Sequence, residues 1–151
     1  MKMRKSPSPP RHYLEAATTV RVRFQEIDSL RIVWHGHYVN YFEDARRAFG
    51  QRYGLDYADI RRHQLHAPLV HLSVDFLAPA VDNDVLEVTA RLLKSDAAKL
   101  EFGYTVMRAA DKQLLAHGET VQAFTSLDGK LILSPPPLLI ECYRRWESLW
   151  K

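Results

Sequence analysis

The stretch Phe24-Gln25-Glu26-Ile27-Asp28-Ser29-Leu30-Arg31-Ile32-Val33-Trp34-His35-Gly36-His37-Tyr38 joins two segments of different periodicity, and that change decides the fold. Before it, from Thr18, the residues Val20, Val22 and Phe24 alternate with Arg21, Arg23 and Gln25, which is the period-two pattern of a half-buried strand. After it, Tyr38, Tyr41, Phe42, Ala45 and Phe49 recur at helical spacing and form one apolar stripe. Asn40, Glu43, Asp44 and Arg47 fall on the polar side of that helix. Glu43 and Arg47 are spaced for an ion pair worth about 0.2–0.5 kcal/mol. Gly54 supplies a C-terminal stop.

Downstream, a short helical turn is expected over residues 56–63, followed by strands over Pro68–Ala78, Val85–Leu93, Leu100–Val106 and Leu114–Leu127. Residues 110–113 and Asp128-Gly129 read as turns. Pro135, Pro136 and Pro137 mark the start of a last helix, with Leu139, Tyr143, Trp146 and Trp150 on its apolar side. The order β-α-β-β-β-β-α predicts an α+β fold, a five-stranded antiparallel sheet curled around one long helix. A single helix covers one face of such a sheet. Its outer face and edges then need other cover, so a homodimer is expected.

The chain has 151 residues, enough for one domain and too few for two. Residues 1–12, with Ser6, Pro7, Ser8, Pro9 and Pro10, are expected to form a flexible tail ahead of a single domain over 13–151. Cys142 is the only cysteine, so no intrachain disulfide forms, which suits a reducing cytoplasm. No apolar run is long enough to insert in a membrane. The net charge of +3 is mild and its cations are scattered, unlike the concentrated basic stripe of a nucleic-acid binder. Such a charge still favours a polyanionic ligand or an acidic carrier.

Chemistry is concentrated in the joining segment. Asp28 stands just past the first strand and a few residues before the helix. The unbonded amides at a helix start can hold a carbonyl oxygen and the oxyanion that develops on it. A nearby carboxylate can activate water or attack the carbonyl itself. Together these parts suit acyl transfer.

The segment resembles the signature of the 4-hydroxybenzoyl-CoA thioesterase family of hot-dog enzymes: aromatic-x-acid-x-Asp, then hydrophobic-Val-aromatic-His/Tyr-x-x-Tyr and an aromatic-Glu-x-Ala-Arg helix. Phe24, Glu26, Asp28, Ile32, Val33, Trp34, His35 and Tyr38 match it, as do Phe42, Glu43, Ala45 and Arg46. The strand order extends the resemblance over about residues 18–130. It implies an acyl-CoA thioesterase without a cofactor, with Asp28 as catalytic carboxylate and the His35 backbone N–H as oxyanion donor. Trp34 and Tyr38 would line the substrate pocket. Lys99 falls where related enzymes place basic residues on the nucleotide end of coenzyme A. Arg31 stands where many relatives have glycine, and would close part of the pocket or bind a substrate anion. The thin basic loop, Ala97-Ala98-Lys99, makes an acyl-carrier-protein donor the first rival, and a non-catalytic acyl-binding dimer the second. Relatives of this kind form dimers and tetramers.

Other groups have plainer readings. His35, His37, His63 and His66 lack the cysteine or carboxylate partners of a four-ligand metal site. His37 suits a local hydrogen bond, Glu43 a solvated ion pair, and Cys142 has no evident base.

Overall fold

The computed structural model describes residues 11–151. Strand β1 runs over Tyr13–Arg21 and so begins before Thr18. Leu14 and Ala16 already turn inward there, but the small alanines weaken the alternation that sequence can register. Phe24 is corrected in the other direction. It leaves the strand for a single 3₁₀ turn, Phe24–Glu26, and is 81% exposed. Of the expected tail, residues 1–10 lie outside the described residues. Arg11 and His12 are held: Arg11 bonds the Glu101 carboxylate at 2.8 Å and the Lys94 carbonyl, and His12 Nδ1 meets the Lys151 carbonyl at 3.1 Å.

Helix α1 spans His37–Tyr53 and α2 spans Tyr57–Arg62. Strands β2 (Leu65–His66), β3 (Leu69–Phe76), β4 (Val85–Leu93), β5 (Lys99–Arg108), β6 (Leu114–Ser126) and β7 (Leu131–Ile132) follow, then α3 (Pro137–Arg145). The main sheet is antiparallel in the order β1-β4-β5-β6-β3. The two-residue strands β2 and β7 add to the far end of β6 and were not foreseen. Helix α3 stops before Trp146 and Trp150, yet both indoles pack as the stripe required; Trp146 is buried and its Nε1 donates to the Tyr53 carbonyl at 3.0 Å.

The core lies between the concave face of the sheet and α1. Phe42 stacks on Tyr104 at 4.4 Å, and Phe49 meets Phe102 edge-on at 5.2 Å. Each fully buried aromatic of this kind contributes about 1.5–3 kcal/mol through area removed from water. Burial raises the Tyr104 phenol to about 12, and its hydroxyl shares a 3.0 Å hydrogen bond with Thr120. Gly54 ends α1 at φ 76°, a left-handed conformation that glycine adopts without strain.

The convex face differs from expectation. Glu87, Thr89, Thr105, His117, Glu119, Ser73 and Asp75 point there, so it is mostly polar. Apolar exposure gathers instead along β3 and the residue after it, where Leu69, Val70, Leu72, Phe76 and Leu77 are all exposed. Among the described residues that strand pairs on one side only, with β6.

Candidate active site

Between the 3₁₀ turn and α1 the chain makes a small hairpin. Ile27 and Val33 bridge across it, Asp28 N–H donates to the Ile32 carbonyl at 2.9 Å, and Trp34 N–H donates to the Glu26 carbonyl at 2.9 Å. Val33 N–H reaches the Ala80 carbonyl, also at 2.9 Å, which ties the hairpin to the loop after β3. Arg108 steadies that loop in turn, through the Asp84 carboxylate and the Pro79 carbonyl.

Asp28 opens the turn. Its Oδ1 accepts the Leu30 N–H at 2.8 Å, and its carbonyl accepts Arg31 N–H at 3.0 Å. This is a local turn bond of the sort aspartate favours, and it holds the carboxyl in place. Asp28 is half-buried and lines a cavity of about 530 Å³ with Phe24, Ile27, Arg31, Val81 and Asp82. Arg31 has φ 62°, which accounts for the glycine expected there: the turn needs a left-handed residue.

The return arm leads into the helix start. His37 N–H donates to the Trp34 carbonyl and Tyr38 N–H to the His35 carbonyl, whereas the amides of His35 and Gly36 have no protein acceptor among the described residues. Counted along the hairpin from Ile32, which faces Asp28, at about 3.3 Å per residue, these amides lie roughly 10–13 Å further on. The Trp34 indole lies over Gly36, where a β-carbon would come within 2.2 Å of the ring. The same indole meets the rings of His35 at 4.9 Å and His37 at 5.6 Å. Phe76 completes the wall, 5.1 Å from Tyr38 and 6.4 Å from His35. Tyr38 is buried, and desolvation raises its pKa. The His37 ring contacts Asn40 at 3.4 Å, the local hydrogen bond expected of it.

Thus Asp28, Arg31, Trp34, His35 and Tyr38 belong to one hairpin and the helix start it feeds. Lys99 does not join them within the chain. It opens β5 at the end of the sheet where Tyr13 and Leu93 pair, while Asp28 lies beyond Arg21 and Val85 at the other end. The separation is about one strand length, on the order of 25 Å. Lys99 also pairs with Glu101 at 3.2 Å, and Glu101 is shared with Arg11. Burial opposes ionisation of Glu101, but these two cations hold its pKa below the ordinary value.

A second cavity, about 320 Å³, opens between α1 and α2 and was not foreseen. Leu55, Ile60, Leu100 and Phe102 make its apolar walls, with Glu43, Arg46 and Gln122 as its polar end. Arg46 is only 9% exposed and bonds both Glu43 and Gln122 through its terminal nitrogens, under the Tyr57 ring at 4.7 Å. Gln122 Nε2 donates onward to the Ala67 carbonyl, and Arg46 Nε is buried without a partner among the described residues. Glu43 therefore pairs with Arg46, not with the expected Arg47. The usable signal was position: 42, 45, 46 and 49 share one helical face, so Arg46 had to go inward with the aromatics. Cys142 is buried and desolvation raises its thiol pKa, against any nucleophilic role. Among the described residues no three His, Cys, Asp or Glu side chains gather as a metal site, and no helix is long and apolar enough to cross a membrane.

The sequence pattern of the thioesterase-like superfamily matches residues 22–141, which takes in the hairpin, α1 and every strand of the sheet after β1. The chain belongs to the thioesterase-like superfamily. A putative esterase of Aquifex aeolicus is 29% identical over 79% of this chain and 91% of its own. The crystal structure of a hypothetical protein from Thermus thermophilus is 32% identical with a TM-score of 0.74, covering 88% of this chain and 98% of that one. The 1,4-dihydroxy-2-naphthoyl-CoA thioesterase from Synechocystis shares the fold at a TM-score of 0.77 and 22% identity, again over 88% and 98% of the two chains.

The left-handed arginine carries a checkable cost. A non-glycine residue in that conformation costs about 1–2 kcal/mol, so Arg31→Gly should raise the unfolding free energy by about 1 kcal/mol, read from urea titration. An unchanged or lowered midpoint would mean the Arg31 side chain makes stabilising contacts that outweigh its backbone.

Proposed function

We propose that the chain hydrolyses acyl-CoA thioesters where the Asp28 hairpin meets the start of α1, with Asp28 as the reactive carboxylate. Thioester hydrolysis itself is the chemistry of the superfamily to which the chain belongs. The observation that carries the assignment is the pair of unbonded amides at His35 and Gly36, one short hairpin from a carboxylate held by its own turn. The thioester carbonyl oxygen would accept from these amides, which stabilise the negative charge that grows as the carbonyl carbon becomes tetrahedral. Asp28 would take a proton from the attacking water, or attack the carbon and form an anhydride that water then opens. Either route releases the acid and the coenzyme A thiol, and neither needs a cofactor. Trp34, Tyr38 and Phe76 shield the carbonyl from bulk water, and the exposed Arg31 is placed to meet an anionic part of the substrate.

The acyl group has a path. Gly36, Val39, Glu43 and Arg46 lie on one side of α1 by helical periodicity, so a chain anchored at the His35 amide can run along it to the cavity beside Tyr57. Coenzyme A as donor is supported by the naphthoyl-CoA thioesterase of the same fold. The one-sided apolar strand β3 supports a homodimer joined along that edge, since an exposed apolar edge strand otherwise invites aggregation. Pairing of two such dimers would give a tetramer.

Three measurements bear on this. Asp28→Asn should lower kcat on a panel of short, medium, long and aromatic acyl-CoA esters by about 10²–10⁴-fold. Wild-type turnover in that variant would remove Asp28 from the mechanism, and turnover of acyl-carrier esters alone would change the donor. Ala58→Trp, which fills the second cavity from its rim, should raise KM for long or aromatic esters by about tenfold while sparing acetyl-CoA. An equal effect on acetyl-CoA would place the acyl group elsewhere. Light scattering after size exclusion should give a dimer or a multiple of it, and Val70→Asp on the β3 edge should yield monomers; a monomeric wild type would refute the β3 interface.

A further inference from the structure

The cavity between α1 and α2 contains a group that a pocket for plain hydrocarbon does not need. Arg46 borders it, with only 10% of its side chain exposed, one helical turn after Glu43. A guanidinium carries five N–H donors in a fixed fork. Arg46 spends one from Nη1 on Gln122 Oε1 and one from Nη2 on Glu43 Oε1. The other three have no acceptor among the described residues, and Nε is fully buried. Gln122, itself 2% exposed, is anchored by its Nε2 bond to the Ala67 carbonyl at 2.6 Å, which leaves its Oε1 facing Arg46. Tyr57 covers the group from α2, its ring 4.7 Å from the guanidinium and its hydroxyl 3.4 Å from Glu43 Oε2. Burying a cation is costly unless its donors are met. Here they are met only in part, on the wall of a cavity.

Charge decides what kind of acceptor suits those donors. Glu43 already balances Arg46. A carboxylate arriving there would leave an excess negative charge against the walls of Leu55, Ile60, Leu100 and Phe102. A hydroxyl or carbonyl oxygen accepts without adding charge. Distance decides where on the acyl group that oxygen stands. From Gly36 to Arg46 the helix rises about 15 Å. The Arg46 side chain slants back toward the helix start, where it reaches Glu43, so roughly 10–15 Å remain. At about 1.3 Å of reach per carbon, a chain of about eight to twelve carbons covers that span. We infer that Arg46, backed by Gln122, is a specificity determinant for medium-chain acyl thioesters that carry a neutral oxygen, as hydroxyl or oxo group, near their far end. It touches no reacting atom; it selects which acyl chain is held.

This rests on hydrolysis at the Asp28 hairpin, and one experiment keeps the two apart. Alkanoyl-CoA esters of about eight, ten and twelve carbons are paired with their ω-hydroxy counterparts. The ratio of kcat/KM within each pair is measured for wild type, Arg46→Met and Arg46→Lys. A folding defect lowers both members of a pair alike, whereas loss of a donor lowers only the hydroxylated one. Wild type should favour the hydroxylated ester by about 10–10²-fold at the length that fits, the range for a hydrogen bond from a charged donor. Arg46→Met should bring the ratio to within about twofold of one. Arg46→Lys, which keeps a cation for Glu43 without the fork, should fall between. Dissociation constants of the same pairs with Asp28→Asn, from calorimetry, should show the wild-type preference. A wild-type ratio near one at every length, or a ratio that survives both Arg46 variants, would overturn the inference while hydrolysis at Asp28 stood. Full turnover in Asp28→Asn, or no turnover of any ester by wild type, would overturn that reading instead; the ratios of kcat/KM or of affinity would still decide the role of Arg46.

Discussion

The seat of α1 on the sheet is the contact from which the rest of the structure takes its position. Phe42 stacks flat on Tyr104, and the neighbouring strand yields space for it: at Gly118 a β-carbon would come within 2.6 Å of the Phe42 ring. Phe49 and Phe102 repeat the contact two turns further along. A helix gripped at two points has little freedom to slide or roll, because close-packed interiors resist displacement of even a methylene. Its first turn is then presented at a set height above the sheet end, and the amides of His35 and Gly36 are presented with it.

That rigidity explains how a short hairpin can serve as the other half of a site. Asp28 need only be fixed relative to the helix start, and the chain does this with backbone bonds at Ile32, Trp34 and Ala80. Backbone bonds suit the task because they hold position and leave the side chains free. The cation buried further along α1 is different in kind. Arg46 is held by Glu43, Gln122 and the Tyr57 ring, and a buried guanidinium is stable only while such partners remain. It gives the cavity a donor face opposite the walls made by Leu55, Ile60, Leu100 and Phe102.

Much of this was legible in the sequence, and the failures have physical causes. The change from period two to helical period around residues 24–38 located the strand, the helix and the segment between them, and the structure gathers Asp28, Arg31, Trp34, His35 and Tyr38 there. The start of β1 was missed because Ala16 and Ala17 give no contrast between faces. Glu43 was given the wrong partner because i,i+4 spacing favours Arg47, while the wheel of aromatics carries Arg46 inward to reach it at i,i+3. Lys99 was matched by likeness alone to the loop that meets the nucleotide end of coenzyme A. Strand pairing, which no local pattern encodes, puts it a strand length away. The polar convex face was present in the alternation of β4, β5 and β6 but was outweighed by the argument that a sheet must hide two faces.

Arg31 brings these threads together. The turn after Asp28 closes through a residue at φ 62°, where glycine would rest without strain. Other positions of the hairpin and α1 follow local preference: aspartate opens the turn, glycine sits under the Trp34 indole, and a second glycine ends α1. A left-handed arginine three residues after Asp28 is the pattern of strain kept where a side chain has a use. The guanidinium is exposed and shares its cavity with Asp28 and Phe24. A cation there lies within reach of an arriving anion, and the cost of its backbone is borne by a sheet and helix whose packing does not depend on that turn.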